Sequence, residues 1–304
     1  MIIKVHGSFI KVKMGKTYSP LRYPGGKSSI YPMIAAIIDS NFSQPCSYVE
    51  PYAGGGGLAL ALLFSNKAKD IYLNDLDKAI WSLWYSILND VDSFIEKIKS
   101  TEVSMDEWHK QRHIQNNTSN YSILDVGFST FFLNRTNRSG IILKAGVIGG
   151  LSQSNEKYKL DCRFNKEALI GKILRINEQR ERIHIFNNDA VDFLKEIDCR
   201  DMNDVCFFID PPYYEKGASL YTNFYDKNDH AKIADTISSL KNRWILTYDN
   251  SEEIKKLYSK YNGYEFFLNY SLAKKRLGTE FLFCNHNVNI PNKFMGCNLI
   301  PFRS

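Results

Sequence analysis

Four consecutive residues, Asp210-Pro211-Pro212-Tyr213, follow the apolar run Val205-Cys206-Phe207-Phe208-Ile209. At ~5% usage per residue type, such a tetrapeptide arises by chance in a chain of this length on the order of a few times in a thousand, which favours a chemical role over a plain turn. A carboxylate at the C-terminal end of a buried strand lies where open α/β sheets place their ligands. Pro211 and Pro212 have no amide N–H to compete, and their rings hold the local carbonyl rigidly. A carboxylate and a carbonyl so placed can each accept one N–H of an exocyclic aromatic amine. The amine nitrogen is then drawn towards sp³ geometry, and the positive charge that grows as it attacks a sulfonium methyl is stabilised. Tyr213 adds a ring on which an extruded base can stack. Asp210 in this arrangement is an orienting acceptor more than a strong base.

A second constellation is Glu50-Pro51-Tyr52-Ala53-Gly54-Gly55-Gly56-Gly57, between a strand-like and a helix-like stretch. Glycines let the backbone turn tightly and approach a ligand, and a helix start presents free N–H groups. Asp75, about twenty residues on at the end of a strand-like run, suits the ribose hydroxyls of a nucleoside cofactor. The glycines follow Glu-Pro and do not run G-x-G-x-x-G, which points away from a dinucleotide; a Gly-rich turn with no ligand is the simpler alternative. The third set, Arg22-Tyr23-Pro24-Gly25-Gly26-Lys27, is by itself mainly a turn signal.

These residues need elements to hold them. Apolar, β-branched or aromatic runs at 47–51, 70–74, 205–210 and 243–248 read as buried strands. Helix-like stretches at 57–64, 78–88 and 230–240 alternate with them, which implies an α/β fold with a parallel sheet covered on both faces. Runs at 264–270 and 280–285 suit a closing antiparallel pair. From about Lys78 to Asn165 no strand is evident, and the Asn- and Arg-rich stretch 134–150 ends what reads as an inserted, mostly helical subdomain. Residues 1–13 precede an internal Met14 and read as an N-terminal extension.

Bulk properties narrow the class. The 304 residues are 44% hydrophobic and 24% charged, ordinary for a globular chain and ample for a core. No apolar run nears the ~18 residues of a membrane span. Lys4, Lys11 and Lys13 break up the N-terminal stretch, so no signal peptide is expected. Six scattered cysteines without a C-x-x-C pair argue against a disulfide framework or zinc knuckle, and for a cytoplasmic location. His109 and His113, four apart, have no third ligand nearby, so no metal is expected. A formal charge of +6 permits a polyanionic partner without requiring one. Lys274-Lys275-Arg276 is either a solvated charge run or a phosphate contact. No carboxylate-lysine cluster suggests a nuclease.

Taken in this order, the three sets resemble the Dam-like adenine-specific (N6) DNA methyltransferases over about residues 19–285, nearly the whole chain. The resemblance implies a Rossmann-like methyltransferase sheet carrying an inserted, mostly helical target-recognition domain. The expected division is a discontinuous catalytic domain at 14–77 and 166–290, with the insertion at 78–165. It implies S-adenosylmethionine as methyl donor, with Tyr23, Lys27, Glu50, Gly54, Gly56, Asp75, Asp189 and Asp210 around it. Asp210, Pro211, Pro212 and Tyr213 match the catalytic motif, and double-stranded DNA would be the substrate. Asn134, Arg135, Arg138, Lys274, Lys275 and Arg276 are the expected DNA contacts. In the insertion the chain has Asn134-Arg135-Thr136-Asn137-Arg138-Ser139-Gly140, where the best-known members carry a Tyr-Asn-Gly-type stretch, so a GATC target is not carried over. The protein is expected to be a monomer, with any cognate restriction endonuclease encoded separately. The same chemistry on RNA adenine or protein glutamine, and an inactive DNA-binding scaffold, are the rival readings.

Overall fold

The computed structural model describes residues 2–5, 8–11, 17–22, 27–154, 157–214, 225–270, 276–294 and 299–302. Strands β1 (Ile2–Val5) and β2 (Ser8–Lys11) form an antiparallel pair with each other, where the sequence suggested only an extension. The main sheet holds eight strands: β3 (Cys46–Glu50), β4 (Ala68–Asn74), β5 (Ile183–Phe186), β6 (Val205–Ile209), β7 (Arg243–Asp249), β8 (Asn262–Tyr270), β9 (Arg276–Cys284) and β10 (Leu299–Pro301). Their spatial order is β10-β8-β9-β7-β6-β3-β4-β5. The five strands from β5 to β7 are parallel, and β9, β8 and β10 continue the sheet antiparallel. Every residue of β3 and β6 is buried, as strands covered on both faces require.

The strand order reverses between β3 and β6, because the chain runs outward through β4 and β5 before crossing back. Such a switch point opens a crevice at the C-terminal strand ends, where α/β sheets bind ligands. The glycine loop after β3 and the Asp210 loop after β6 flank that crevice.

Ten helices cover the sheet among the described residues: α1 (Tyr31–Asn41), α2 (Gly57–Phe64), α3 (Lys78–Asn89), α4 (Val91–Ser100), α5 (Met105–Asn116), α6 (Ile123–Thr136), α7 (Lys166–Asn177), α8 (Ala190–Asp198), α9 (Lys227–Ser239) and α10 (Glu252–Leu257). Side-chain caps set several starts: Ser104 accepts from Glu107 N, Ser122 from Asp125 N, and Asp77 from Ala79 N. Alternating residues of the central strands feed two cores. Tyr48 and Phe208 join a cluster with α1, α2 and the insertion, while Val49 and Phe207 join one with α8, α9 and α10.

The insertion does not stand apart from the sheet. Phe94, Phe128 and Phe131 belong to the same buried cluster as Ile71 and Leu73 of β4. Helix α3, assigned to the insertion from sequence, also supports the glycine loop after β3: Trp84 Nε1 donates to the Gly54 carbonyl at 3.0 Å. A division at residues 77 and 78 therefore follows no gap in packing. The five cysteines among the described residues are free, and no helix there is long and apolar enough to cross a membrane.

Candidate active site

The crevice begins at the end of β3. Glu50 is buried there and accepts a hydrogen bond from the Tyr48 hydroxyl at 2.9 Å. Burial pushes its carboxyl up to about 8 against the pull of that hydroxyl, and the nearby Asp210 adds to the rise. Gly54 and Gly56 then turn the chain with φ of 47° and 56°, in the left-handed region that glycine reaches at little cost. At Gly56 a side chain would also press on Trp84, whose ring lies 3.0 Å from where a Cβ would stand.

Asp75, just beyond β4, pins this loop. Its Oδ2 accepts from Gly54 N at 2.8 Å and its Oδ1 from Asp77 N at 2.9 Å. Burial, with Asp77 close by, raises its carboxyl to about 7. Asn74, which sequence reasoning passed over, is fully buried and ties three strand ends together. Its amide donates to the carbonyls of Pro51 (3.1 Å) and Asn188 (3.0 Å), and its oxygen accepts from Asn188 N (2.9 Å). Asp189 caps α8 by accepting from Val191 N at 2.9 Å, which places its half-buried carboxylate at the same edge.

At the end of β6 stands Asp210. Its Oδ1 accepts from Thr247 Oγ1 of β7 at 2.7 Å and lies 3.1 Å from Lys27 Nζ. Among the described residues Oδ2 takes no hydrogen bond, and the side chain is 22% exposed. Burial raises the Asp210 carboxyl to about 6, with Lys27 opposing the rise and Glu280 adding to it. Lys27, buried in a 3-10 turn before α1, also meets Glu280 Oε2 at 3.1 Å. Pro211 and Pro212 are buried, and the Tyr214 amide donates to Asp249 Oδ1 at 2.8 Å, fixing the exit of the loop.

Tyr213, expected to offer a stacking face, also engages its hydroxyl. Its ring is 6% exposed, and its hydroxyl donates to Glu280 Oε1 at 2.6 Å. Lys27 Nζ lies 5.5 Å from the ring centre. Glu280 and Thr247 were missed from sequence because each looked like one more residue of a strand. A glutamate opening the apolar run Phe281-Leu282-Phe283 was the available signal.

The expected DNA contacts divide. Asn134 is not presented to solvent: it is 1% exposed, accepts from Arg22 N at 2.8 Å, and donates to the carbonyls of Arg22 (2.9 Å) and Gly140 (2.8 Å). Arg135 is likewise engaged, donating to the carbonyl of Arg163 through Nε (2.7 Å) and Nη2, and to that of Pro20 at 3.5 Å. Burial, then the charges of Arg22 and Arg163, lowers its guanidinium to about 10. Asn134 thus ties α6 to the segment 17–22, while half-buried Arg135 binds chiefly the Arg163 carbonyl, and their role as DNA contacts rests on the sequence alone. Gly140, at φ 77°, passes so close to the Arg22 carbonyl that any Cβ would collide with it. Arg138 is exposed. Tyr23, Lys274 and Lys275 lie outside the described residues, and Arg276 is described only as the first backbone position of β9.

The crevice suits a cationic nucleoside ligand. Glu50, Asp75, Asp189 and Asp210 stand at the strand ends that border it, and burial makes three of them hold their protons more tightly than usual, Asp210 in spite of Lys27. An ammonium or sulfonium centre nearby would favour their ionised forms. Among the described residues there is no group of three or more His, Cys, Asp or Glu side chains placed to hold a metal.

A parallel sheet reversing beside a glycine loop, with the Asp-Pro-Pro-Tyr corner opposite, is the Rossmann-like architecture of methyltransferases dependent on S-adenosylmethionine. Residues 23–272 match the family described as D12 class N6 adenine-specific DNA methyltransferases, and the chain belongs to that family. It is 25% identical over 230 residues to the type II methyltransferase M.MjaIII of Methanocaldococcus jannaschii, covering 70% of this chain and 76% of that one. It is 23% identical over 269 residues to the type II methyltransferase M.CviBI of Paramecium bursaria Chlorella virus NC1A, covering 86% and 94%. Among solved structures it is similar to a SAM-dependent methyltransferase from Agrobacterium tumefaciens, at TM-score 0.42 and 10% identity, covering 85% of this chain and 61% of that one. The protein methylates adenine N6 in DNA from S-adenosylmethionine.

Proposed function

We propose that the corner formed by Asp210, Pro211, Pro212 and Tyr213 is the catalytic centre, and that it works on an adenine extruded from double-stranded DNA. The observation that carries this reading is the asymmetry of Asp210. Thr247 and Lys27 hold Oδ1, while Oδ2 is left to accept an N–H of the target amine. The buried proline pair directs a carbonyl to the amine's other N–H. Together they orient the nitrogen lone pair and stabilise the charge on it as the new N–C bond forms. Once the methyl is attached, the nitrogen carries an extra proton, and Oδ2 is placed to take it.

S-adenosylmethionine, when bound, supplies the electrophilic methyl group. Glu50, Asp75 and Asp189, with the turn at Gly54 and Gly56, would hold it. Lys27 keeps Asp210 in place, and Tyr213 closes the wall beside the base. Arg138, exposed at the end of the insertion, is the DNA contact best supported by its position. The same reading has the protein act as a cytoplasmic monomer, with any restriction endonuclease of a type II system on a separate chain.

Tritium transfer into duplex DNA under single-turnover conditions, followed by nucleoside digestion, tests the assignment. Asp210→Ala removes the oriented acceptor, and loss of one such electrostatic partner costs about 10²–10³ in rate. A variant within tenfold of the parent would end the catalytic role of Asp210.

A further inference from the structure

We propose that Glu280 is a positioning residue for methyl transfer, holding Lys27 and Tyr213 on either side of Asp210 and drawing part of the Lys27 charge away from it. The inference rests on the catalytic reading of Asp210 given above. Glu280 sits on β9 at the register position facing Asp249, with a fully buried side chain followed by the buried residues Phe281, Leu282, Phe283 and Cys284. A carboxylate in such a place is costly unless paired and hydrogen-bonded, so its partners say what it is for.

Those partners belong to the catalytic corner. Lys27 Nζ lies 3.1 Å from Glu280 Oε2 and 3.4 Å from Oε1, and the Tyr213 hydroxyl donates to Oε1 at 2.6 Å. Lys27, whose side chain is 5% exposed, stands between two carboxylates at 3.1 Å from each. A lysine paired with Asp210 alone could move onto Oδ2 and occupy the oxygen the amine requires. Shared with Glu280, it stays on the Oδ1 side, and Asp210 remains a better hydrogen-bond acceptor than a fully paired carboxylate would be. Among the described residues, the groups that face Asp210 are Lys27, Glu280, Glu50, the Thr247 hydroxyl and Tyr248. Of these only Lys27 carries positive charge, so the division of its charge sets the acceptor strength.

Glu280→Gln tests this, because it keeps a hydrogen-bond acceptor for Tyr213 and removes the charge. Asp210 then has Lys27 to itself. The acid limb of the single-turnover rate should move to lower pH by on the order of one unit, the scale of an unshared opposite charge at this range. Carbon-13 carboxyl NMR of the ligand-free protein, with Asp210 assigned from its Asn variant, should show its titration midpoint moving the same way. Lys27→Met should move both in the opposite direction. Tyr213→Phe should leave the midpoint in place and lower the plateau rate about 10–100-fold, the loss of one charge-assisted hydrogen bond. A merely structural Glu280 would lower stability without moving the midpoint. If Glu280→Gln fails to fold, the Lys27→Met arm decides, and an unmoved midpoint in whichever variant folds overturns the proposal. Full activity in Asp210→Ala would instead remove the catalytic reading on which it rests.

Discussion

Replacing Asn134 with alanine removes an acceptor for the Arg22 amide (2.8 Å) and donors to the carbonyls of Arg22 (2.9 Å) and Gly140 (2.8 Å). The side chain is 1% exposed, so water does not fill the gap freely. A buried backbone group left without a partner costs about 1–3 kcal/mol. Three are affected, but the two on Arg22 are only partly buried and can be rehydrated in part. The expected destabilisation is therefore about 2–4 kcal/mol, or roughly 3–6 °C in melting temperature for a chain of this size. Asn134→Asp sharpens the test. It keeps the acceptor for the Arg22 amide but turns a carboxylate oxygen towards two carbonyls, so it should be at least as destabilising as alanine. Thermal unfolding of the ligand-free protein, followed by circular dichroism, reads the effect without DNA. If Asn134 were a base-reading side chain, its removal would leave stability within about 0.5 kcal/mol and would alter only DNA binding. That outcome would refute this tie.

Arg138→Ala should behave in the opposite way, because Arg138 is exposed. Its melting temperature and its affinity for S-adenosylhomocysteine should match the parent, while DNA affinity falls or the methylated motif relaxes by ~1–3 kcal/mol of discrimination; unchanged DNA binding and motif would remove the role. The raised carboxyls make a pH prediction. Glu50 at about 8, Asp75 at about 7 and Asp210 at about 6 all lie above their ordinary values of 4.5, 3.8 and 3.8. Folding takes up protons at these groups, so their contribution to stability is complete below pH 3.8 and is lost as pH rises through 6 to 8. A cationic ligand reverses this by favouring the ionised forms. S-adenosylmethionine should bind with proton release near pH 7 and more tightly as pH rises, and uncharged-sulfur S-adenosylhomocysteine should release fewer protons. Calorimetry in two buffers of different ionisation heat measures it, and proton uptake would contradict the account.

The parallel core of the sheet was readable because β3, β6 and β7 are mostly buried runs and β4 is buried at Ile71, Leu73 and Asn74, a pattern that water enforces locally. The edge strands were not. β5 is only Ile183-His184-Ile185-Phe186, partly exposed and framed by charge, and β10 is three residues long with two of them exposed. Neither carries enough apolar periodicity to stand out. Asp210-Pro211-Pro212-Tyr213 and the turn at Gly54 and Gly56 stood out for another reason: each is a run of contiguous residues with a restricted or unusually free backbone. What the sequence could not show is which side chains meet across the fold. Lys27 and Glu280 are 253 positions apart, and Arg22 and Asn134 are 112 apart. Asn134 and Arg135 have the composition of a nucleic-acid contact, yet packing turned Asn134 inward onto the Arg22 backbone and engaged Arg135 with the carbonyl of Arg163. Glu280 and Thr247 have the look of ordinary strand residues, yet sheet register set them beside Asp210. Local sequence determined where the chain extends, turns and coils, since those choices are made by neighbouring residues competing with water. Tertiary structure decided which polar groups found partners, because a buried donor or acceptor is satisfied only by what the folded chain brings within about 3 Å.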